Sequence, residues 1–305
     1  MELNYYYKAY GLLIGSEIPL PPLGPVSPTP VDLTIWRGRL PEPPPLTATK
    51  VYRAGLNANV GQQGRDRLWL DWSPIVAFMA LNGNELLVDT TQTDDELVAL
   101  FTLSEALGLL LFQRDYFLLH GSAVRIGDEG VVFVGEPGAG KSTTVAAFAQ
   151  KGYGVISDDM VCIQVTETGG VLLMPAFSQI KIWETAVAGL QLHHEPMALV
   201  REGVNKFSWH DSIAFDAKPV PLKQIFVLTA PTDSTSSIVQ LPPSRVPVEL
   251  LSYFPLPDAL LSGASLKAYF ETSAAIARSI PVSTMNRPAN FTKLRAFVEH
   301  LKSTL

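Results

Sequence analysis

A glycine-rich segment contains the residue types and spacing that point most directly to chemistry. It matches the pattern G-x-x-x-x-G-K-[ST] throughout and reads Gly135, Glu136, Pro137, Gly138, Ala139, Gly140, Lys141 and Ser142, with Thr143 next. Glycines let the backbone turn its N–H groups inward as an anion nest, and a helix start adds partial positive charge. A lysine at this spacing can reach the β and γ oxygens of a nucleotide, and the following hydroxyl can bind Mg²⁺. The segment therefore predicts a phosphate-binding loop.

The sequence on either side of this segment supports that interpretation. An apolar run, Val131–Val134, leads into it, and a helical pattern from Ser142 to Lys151 ends at Gly152, a natural C-cap. A strand–turn–helix with accidental glycines is the alternative. We favour the phosphate-binding loop, because that loop needs a buried strand before it and a helix after it.

Two adjacent aspartates follow one strand after the helix. A short strand from Tyr153 ends in Asp158 and Asp159. Carboxylates beside a magnesium–triphosphate can hold the metal or accept the proton of an attacking hydroxyl. A solvated turn is the ordinary alternative for such a pair. Because the phosphate-binding loop precedes them so closely, we favour a role in catalysis.

A predicted hairpin lies upstream of the loop. The runs 119–126 and Val131–Val134 flank a tight-turn signal at Gly127–Gly130, so we expect an antiparallel pair. A Ras-like NTPase would instead have its loop strand in a parallel sheet. His120 begins the hairpin, where a structural and a catalytic role are equally favoured.

Three other sets of residues are weaker candidates. The polar loop Arg201–Lys206 could bring cations over a triphosphate, although ordinary surface charge is favoured. The stretch His193–Glu195 has metal-ligand residue types but no further ligands at suitable spacing, which favours a surface turn. Trp183 and Trp209 are assigned to packing rather than to base stacking.

The first 90 residues predict strands and no helix. Glycine and asparagine separate apolar or aromatic runs at Tyr5–Ile14, Val31–Trp36, Leu68–Trp72, Ile75–Leu81 and Glu85–Asp89. Asn82–Gly83 between two such runs indicates a hairpin. The proline-rich stretches 19–22 and 41–45 are interpreted as rigid connections rather than as SH3-type ligands.

Helices dominate the expectation for parts of the remainder. Thr93 and Glu96 have the form of a capping box and precede a long helix. Further helices are expected at 184–189, 246–251, 256–280 with a break at Gly263, and 290–301, with strands at 161–165, 171–174, 180–182 and 224–228. We therefore predict an α/β fold with α+β character, divided into a strand-rich domain 1–90 and a loop-bearing domain 91–305.

Composition excludes several classes of function. Lys and Arg total 23 against 29 Asp and Glu, a net charge of -6, which is unlike a nucleic-acid-binding protein. The stretch Leu97–Gln113 is interrupted by Glu105 and is shorter than a membrane span, so no membrane partner is expected. One cysteine, Cys162, cannot form an internal disulfide, and a cytoplasmic location is expected.

The motifs together resemble the catalytic domain of the HPr kinase/phosphorylase family. The resemblance runs from Leu119–Gly121 through the loop and its helix to Ile156–Asp159. The openings Tyr7–Leu12 and Ser16–Pro21, and more loosely the stretch Ile280–Pro288, resemble the HPr-kinase-like proteins of bacterial biosynthetic clusters. Some of those proteins phosphorylate a serine of lasso-peptide precursors.

The resemblance implies a fold, cofactors and roles. It implies ATP on Lys141 and the loop backbone, Mg²⁺ supported by Ser142 and Asp159, Asp158 as general base, and His120 close to the terminal phosphate. It also implies an antiparallel hairpin before the loop and assembly into homo-oligomers. The family's glycine-rich signature is absent from 175–183, so neither phosphorylase activity nor HPr as substrate follows, and Glu184 is the candidate for that signature's acidic residue.

The resulting hypothesis is an ATP- and Mg²⁺-dependent kinase that phosphorylates a hydroxyl, in particular a serine of a peptide or protein. A non-catalytic nucleotide-binding regulator and a small-molecule kinase or ATP-hydrolysing enzyme remain as alternatives. The acceptor, the oligomeric state, the choice of ATP over GTP, the role of residues 1–90 and the division of labour between Asp158 and Asp159 stay open.

Overall fold

The strands and helices of the computed structural model fall into two units, which are described separately. Residues 2–193, 195, 197–201, 204–210, 213–231 and 237–304 are described. One unit comprises Met1–Leu118 and Phe254–Phe270, and the other Leu119–Tyr253 and Glu271–Leu305. The fold is mixed α/β, as expected, and the domain limit at residue 90 stays a prediction.

The first unit contains one eight-stranded sheet. Its strands are β1 (Tyr5–Ala9), β2 (Leu12–Ser16), β3 (Leu33–Arg37), β4 (Thr47–Arg53), β5 (Leu56–Gln63), β6 (Arg67–Trp72), β7 (Val76–Leu81) and β8 (Glu85–Asp89). They lie in the order β1-β2-β3-β8-β7-β6-β5-β4. The β2–β3 and β3–β8 pairs are parallel and the others antiparallel.

Turn residues divide this sheet largely where the sequence indicates. The hairpin at Asn82–Gly83 is confirmed: φ is 50° at Asn82 and 72° at Gly83, and the Asn84 N–H donates to the Leu81 carbonyl at 3.0 Å. The single run predicted from Tyr5 to Ile14 is wrong, because a turn at Tyr10 and Gly11 splits it into β1 and β2.

The long helix is broken. Helix α1 (Asp95–Phe101) continues through a π-helical segment, Thr102–Ala106, into α2 (Leu107–Gln113), and Ser104 has non-helical φ and ψ. The capping box at Thr93 and Glu96 is wrong, since the Asp94 carboxylate instead accepts from the Leu97 N–H at 3.1 Å.

An ion pair fixes the break against the sheet of the first unit. The Arg53 guanidinium on β4 donates two hydrogen bonds, of 3.0 and 2.8 Å, to the Glu105 carboxylate in the π-helical segment. Burial would raise the pKa of Glu105, but the Arg53 charge and the hydrogen bonds to Arg53 and Ser104 together outweigh burial and lower the pKa from its ordinary value. Both side chains of the pair are largely buried, so removal of one partner leaves the other as a buried, unpaired charge.

We therefore expect Glu105→Gln to lower the free energy of unfolding by about 2–4 kcal/mol near neutral pH. A carboxyl group with a lowered folded-state pKa stabilises the fold above its unfolded pKa, and that stability is lost as pH falls through the folded pKa. Urea unfolding at about pH 7 and about pH 3 should show the variant and wild type converging in acid. An equal difference at both pH values would contradict this assignment, and Arg53→Gln/Glu105→Gln separates the pair from local packing.

The second unit places its strands around the predicted loop. Its strands are β9 (Phe117–Ile126), β10 (Glu129–Gly135), β11 (Gly154–Ser157), β12 (Met160–Val165), β13 (Val171–Met174), β14 (Ile180–Trp183), β15 (Met197–Arg201), β16 (Val204–Trp209), β17 (Val220–Leu228), β18 (Ser237–Gln240) and β19 (Val282–Asn286). The larger sheet runs β10-β9-β12-β13-β17-β19-β18, β11 pairs with β9, and β10 also pairs with β17. A separate sheet has the order β14-β16-β15.

The remaining helices complete the chain. They are α3 (Lys141–Ala149), α4 (Glu184–Leu190), α5 (Val246–Leu251), a 3₁₀ turn at Asp258–Leu260, α6 (Gly263–Ser279) and α7 (Phe291–Thr304). Helices α3, α4 and α7 contribute to one hydrophobic core with β10, β14 and β17, where Phe133, Phe148 and Phe226 are fully buried. In the described part of the chain no helix is long and apolar enough to cross a membrane.

The pairing of β10 confirms one expectation and extends it. The predicted antiparallel hairpin is present, with Val131 opposite Val124 and Val134 opposite Gly121. On its other side β10 pairs in parallel with β17, and β17 pairs in parallel with β19. The C-terminal region is therefore not wholly helical, and β19 was missed.

Candidate functional site

The glycine-rich segment forms a tight loop between β10 and α3. Gly135, Gly138 and Gly140 have φ values of 148°, 87° and 92°, a region that other L-residues rarely adopt. The Ala139 N–H donates to the Glu136 carbonyl at 3.1 Å, and α3 begins immediately afterwards at Lys141. Glu136, Pro137 and Gly138 are exposed, and Ser142 and Thr143 are half-buried. The first turn of α3 thus lies directly behind an exposed, sharply turned backbone.

Lys141 is folded back onto this loop. Only 8% of its surface is exposed, and its ammonium donates to the carbonyls of Gly135 at 2.8 Å and Glu136 at 3.3 Å. Burial lowers the pKa of Lys141, although the nearby carboxylates of Asp158 and Asp159 act in the opposite direction. The positive charge is consequently held at the loop by backbone oxygens rather than by a carboxylate.

Asp158 connects the loop to two other elements. One carboxylate oxygen accepts from the Ser142 hydroxyl at 2.8 Å and from the Ser122 hydroxyl of β9 at 2.6 Å. The other accepts from the Lys181 backbone N–H of β14 at 2.8 Å. Burial raises the pKa of Asp158, and the adjacent Asp159 charge raises it further, against the hydrogen bonds that favour the ionised form. The predicted metal-supporting serine is therefore joined to Asp158.

Asp159 faces a different partner. Its carboxylate lies 3.0 Å from the Lys181 ammonium, and 28% of its side-chain surface is exposed. Its φ is 69°, so the chain turns sharply between the two aspartates. Both aspartates were expected to end the strand, but β11 already ends at Ser157, so they lie in the turn that follows it.

His120 lies beside this turn. The N–H of the next residue, Gly121, donates to the Asp159 carbonyl at 3.3 Å, and the His120 N–H donates to the Tyr253 carbonyl at 2.6 Å. The structure thus brings the backbone at His120 next to the aspartates, while its role stays a prediction. Glu184 has an exposed side chain at the start of α4.

Arg287 was missed by the analysis of the sequence. It follows β19, is only 6% exposed, and donates to the carbonyls of Ala139 at 3.4 Å and Pro288 at 2.9 Å. Its guanidinium packs against Gly140 so closely that a Cβ there would lie 2.0 Å from Nη2. Burial lowers the pKa of Arg287 to about 10. No clear signal marked it in the sequence, because the strand before it, β19, is half polar and lies in a region assigned mostly to helix.

The two groups of charged residues flank the loop strand. Successive pairings give the order β11-β9-β10-β17-β19. Asp158 and Asp159 follow β11 on one side of β10, and Arg287 follows β19 on the other. An anion on the loop would therefore have a buried guanidinium towards one side and the carboxylates towards the other.

The weaker candidates have mixed outcomes. Trp209 is buried, as expected for packing, but Trp183 is 55% exposed and is not a core residue. The polar loop expected at Arg201–Lys206 instead contains the ends of the β15–β16 hairpin, and residues 202 and 203 lie outside the described part. His194 of the His193–Glu195 stretch also lies outside it. Among the described residues no group of three or more His, Cys, Asp or Glu side chains could hold a metal ion.

Comparisons with known proteins found matches only among solved structures. No family model and no curated protein matches the sequence. Among solved structures, 75 chains match. One is the Hpr(Ser) kinase/phosphatase from Coxiella burnetii, at 14% identity and a TM-score of 0.32, covering 61% of this chain and 97% of that chain. The chain is similar to that enzyme in structure, and we infer its chemistry from the contacts described above.

The close contact between Gly140 and Arg287 predicts that a side chain at position 140 destabilises the fold. Gly138→Ala should lower the free energy of unfolding by about 1–2 kcal/mol, because alanine is strained at positive φ. Gly140→Ala should cost about 1–3 kcal/mol more, because its methyl group would also overlap the Arg287 guanidinium. Gly138 is the matched control, since a Cβ there meets nothing within 4 Å. Urea unfolding of both variants measures the difference.

A cycle with Arg287→Ala identifies the source of the extra cost. In the Arg287→Ala background, Gly140→Ala should be no more costly than Gly138→Ala. An undiminished excess in that background would show that the guanidinium is not the obstacle.

Proposed function

We propose that the chain is an ATP- and Mg²⁺-dependent kinase that transfers the γ-phosphoryl group to a hydroxyl, a serine of a peptide or protein. The observation that carries the proposal is the bond between the Ser142 hydroxyl and the Asp158 carboxylate, 2.8 Å long. It joins the residue that follows the loop lysine to one of two adjacent carboxylates. Phosphoryl transfer needs groups that bind the phosphates, bind the metal ion and accept the proton of the hydroxyl.

Nucleotide phosphates would bind on the loop backbone and the N-terminus of α3. The N–H groups of the first helical turn have no partner within the helix, and the helix dipole favours an anion there. Lys141 adds a positive charge, and its present partners are two backbone carbonyls. Arg287 adds a buried positive charge against Gly140. An overall charge of -6 makes this local concentration of positive charge necessary for anion binding.

The oxygen atoms at Ser142 and Asp158 fit a magnesium ion. Mg²⁺ prefers hard oxygen ligands and is commonly held by one or two carboxylates together with substrate phosphates and water. Ser142 and Asp158 would hold it, which explains why no larger cluster of ligating side chains is needed in the described part of the chain. When bound, the ion would neutralise charge on the β and γ oxygens.

The contacts favour roles for Asp158 and Asp159 that are the reverse of those implied by the family resemblance. Asp158 is already bonded to Ser142, so we assign it to the metal side. Asp159 is then the proton acceptor, and its partly exposed carboxylate can be approached by an acceptor hydroxyl. Lys181 holds Asp159 by its ammonium and Asp158 by its N–H, and so fixes both carboxylates.

The reaction would proceed as a single displacement. The acceptor oxygen forms a bond to the γ-phosphorus while the bond from that phosphorus to the β–γ bridging oxygen breaks. ADP leaves with the bridging oxygen, and the hydroxyl proton passes to Asp159. Lys141 and the loop N–H groups stabilise the charge that develops on the phosphoryl oxygens. We keep His120 as a residue close to the terminal phosphate, because its strand bonds to Asp159.

Removal of the loop lysine tests nucleotide binding. Lys141→Met should weaken magnesium–ATP binding by about 100-fold or more, since a buried charge-assisted contact is lost. Isothermal titration with wild type and the variant measures the change. Lys151→Met is the control, because Lys151 lies beyond the other end of α3 and pairs with Glu299. Unaltered affinity in Lys141→Met would exclude the loop as the phosphate site.

Substitution of each aspartate tests the division of labour. Asp159→Asn should lower the rate of phosphorylation of a degenerate serine-peptide library by about 10²–10⁴-fold, the usual contribution of a positioned base. Its affinity for magnesium–ATP should stay close to that of wild type. Asp158→Asn should raise the Mg²⁺ concentration needed for half-maximal nucleotide binding by about tenfold or more, because a carboxylate ligand is lost.

The exposed Asp128 of the β9–β10 turn provides the matched control, as Asp128→Asn. If Asp158→Asn keeps its Mg²⁺ requirement but loses transfer, then Asp158 is the base, as the family resemblance implies. If no peptide is phosphorylated while magnesium–ATP still binds, the result would favour the alternatives: a non-catalytic nucleotide-binding regulator, or a small-molecule kinase or ATP-hydrolysing enzyme.

A further inference from the structure

One face of the β14-β16-β15 sheet is apolar and the other is polar. Ile180 and Ile182 of β14 and Trp209 of β16 belong to the buried core of the second unit. Side chains alternate along a strand, so Lys181 and Trp183 point away from that core. Lys206 lies opposite Trp183 in the register of the two strands, and therefore on the same outer face.

The outer face continues directly from the aspartates. Lys181 contacts both of them, through its N–H to Asp158 and its ammonium to Asp159. Trp183 follows two residues later on the same face, at about 7 Å along an extended strand. The charge of Lys206 also acts on Asp158 and on Lys141, which places its ammonium within electrostatic reach of the reaction centre.

Trp183, which is exposed, and Lys206, which is half-buried, form a pair on this face. The Lys206 ammonium lies 5.7 Å from the centroid of the Trp183 ring, and 55% of the tryptophan surface is open to solvent. No carboxylate in the described part of the chain forms an ion pair with Lys206. The chain has a net charge of -6. Lys206, which lies over an aromatic ring close to two aspartates, places a positive charge at this point of a negatively charged chain. Its charge complements a negatively charged partner.

We propose that the Trp183–Lys206 pair is the acceptor-recognition subsite of the kinase, and that it binds an acidic side chain of the acceptor peptide. This inference rests on the proposed function. Lys206 pairs with the acidic side chain, and the Trp183 ring covers the adjoining peptide. Given the spacing from Asp159 to Trp183, the acidic residue lies about two to four residues from the phosphorylated serine in an extended peptide.

The topology places this subsite on the aspartate side of the loop strand. The pair adjoins the aspartates, which follow β11, whereas Arg287 lies beyond β17 on the other side of the loop strand. A cation that binds the α- or β-phosphate must lie at the loop. Lys141 and Arg287 already contact the loop backbone and provide that charge. Lys206 is therefore available to the acceptor.

A charge reversal tests the subsite. The probe is a set of serine peptides in which each position from four before to four after the serine carries Asp, Asn or Lys in turn. Wild type should phosphorylate the Asp peptides about 5–10-fold faster than the Asn peptides at one or two positions, the effect expected of one partly shielded ion pair. Lys206→Glu should reverse that preference to Lys at the same positions. Trp183→Ala should raise the peptide KM and leave the affinity for magnesium–ATP unchanged.

Lys151→Glu makes the same charge change beyond the far end of α3 and should keep the wild-type preference. Phosphorylation by wild type without preference for an acidic residue would overturn the subsite and leave the kinase function standing. A loss of magnesium–ATP affinity in Lys206→Glu, with peptide preference retained, would assign Lys206 to the nucleotide and also overturn it. If wild type phosphorylates none of the peptides, the peptide acceptor and this subsite fall together.

Discussion

The site depends on the hydrogen bonds that the Asp158 carboxylate accepts. This carboxylate accepts hydrogen bonds from Ser122 of β9, Ser142 of α3 and the Lys181 N–H of β14, so one side chain joins three elements that are distant in sequence. A carboxylate in this shielded position is tolerated only because donors surround it. The same donors fix the position of the loop helix relative to the strand that leads to Trp183. On the proposed function, the same carboxylate would both join these elements and take part in phosphoryl transfer.

Local rules of sequence were sufficient for the glycine-rich loop and for the turn at Asn82–Gly83. Gly138 and Gly140 adopt the positive φ values that the pattern requires, and Asn82–Gly83 forms its hairpin, because these conformations are determined by the residues themselves. The apolar strands were placed well for the same reason, since burial on one or both faces leaves a visible pattern. The strands Val171–Met174 and Glu85–Asp89 agree with their predicted bounds.

Features that depend on partners distant in sequence could not be predicted in this way. The strands β4 and β5 are rich in Thr, Asn and Gln, and only pairing with their neighbours makes them strands. Arg287 reaches the loop because β19 pairs with β17, which no local pattern reveals. The link between Ser142 and Asp158, rather than Asp159, depends on a turn with positive φ at Asp159, where both aspartates were expected to end the strand.

The position of Arg287 in the chain has a consequence for biosynthesis. The loop and Lys141 precede β19 and its arginine in the chain, so they are synthesised first, and β19 emerges only after α6. A nascent chain that has not yet added β19 to β17 exposes the edge of a parallel strand and has an incomplete positive cradle around Gly140. On the proposed function, nucleotide would thus bind the finished unit better than its precursors and would stabilise a late step of folding.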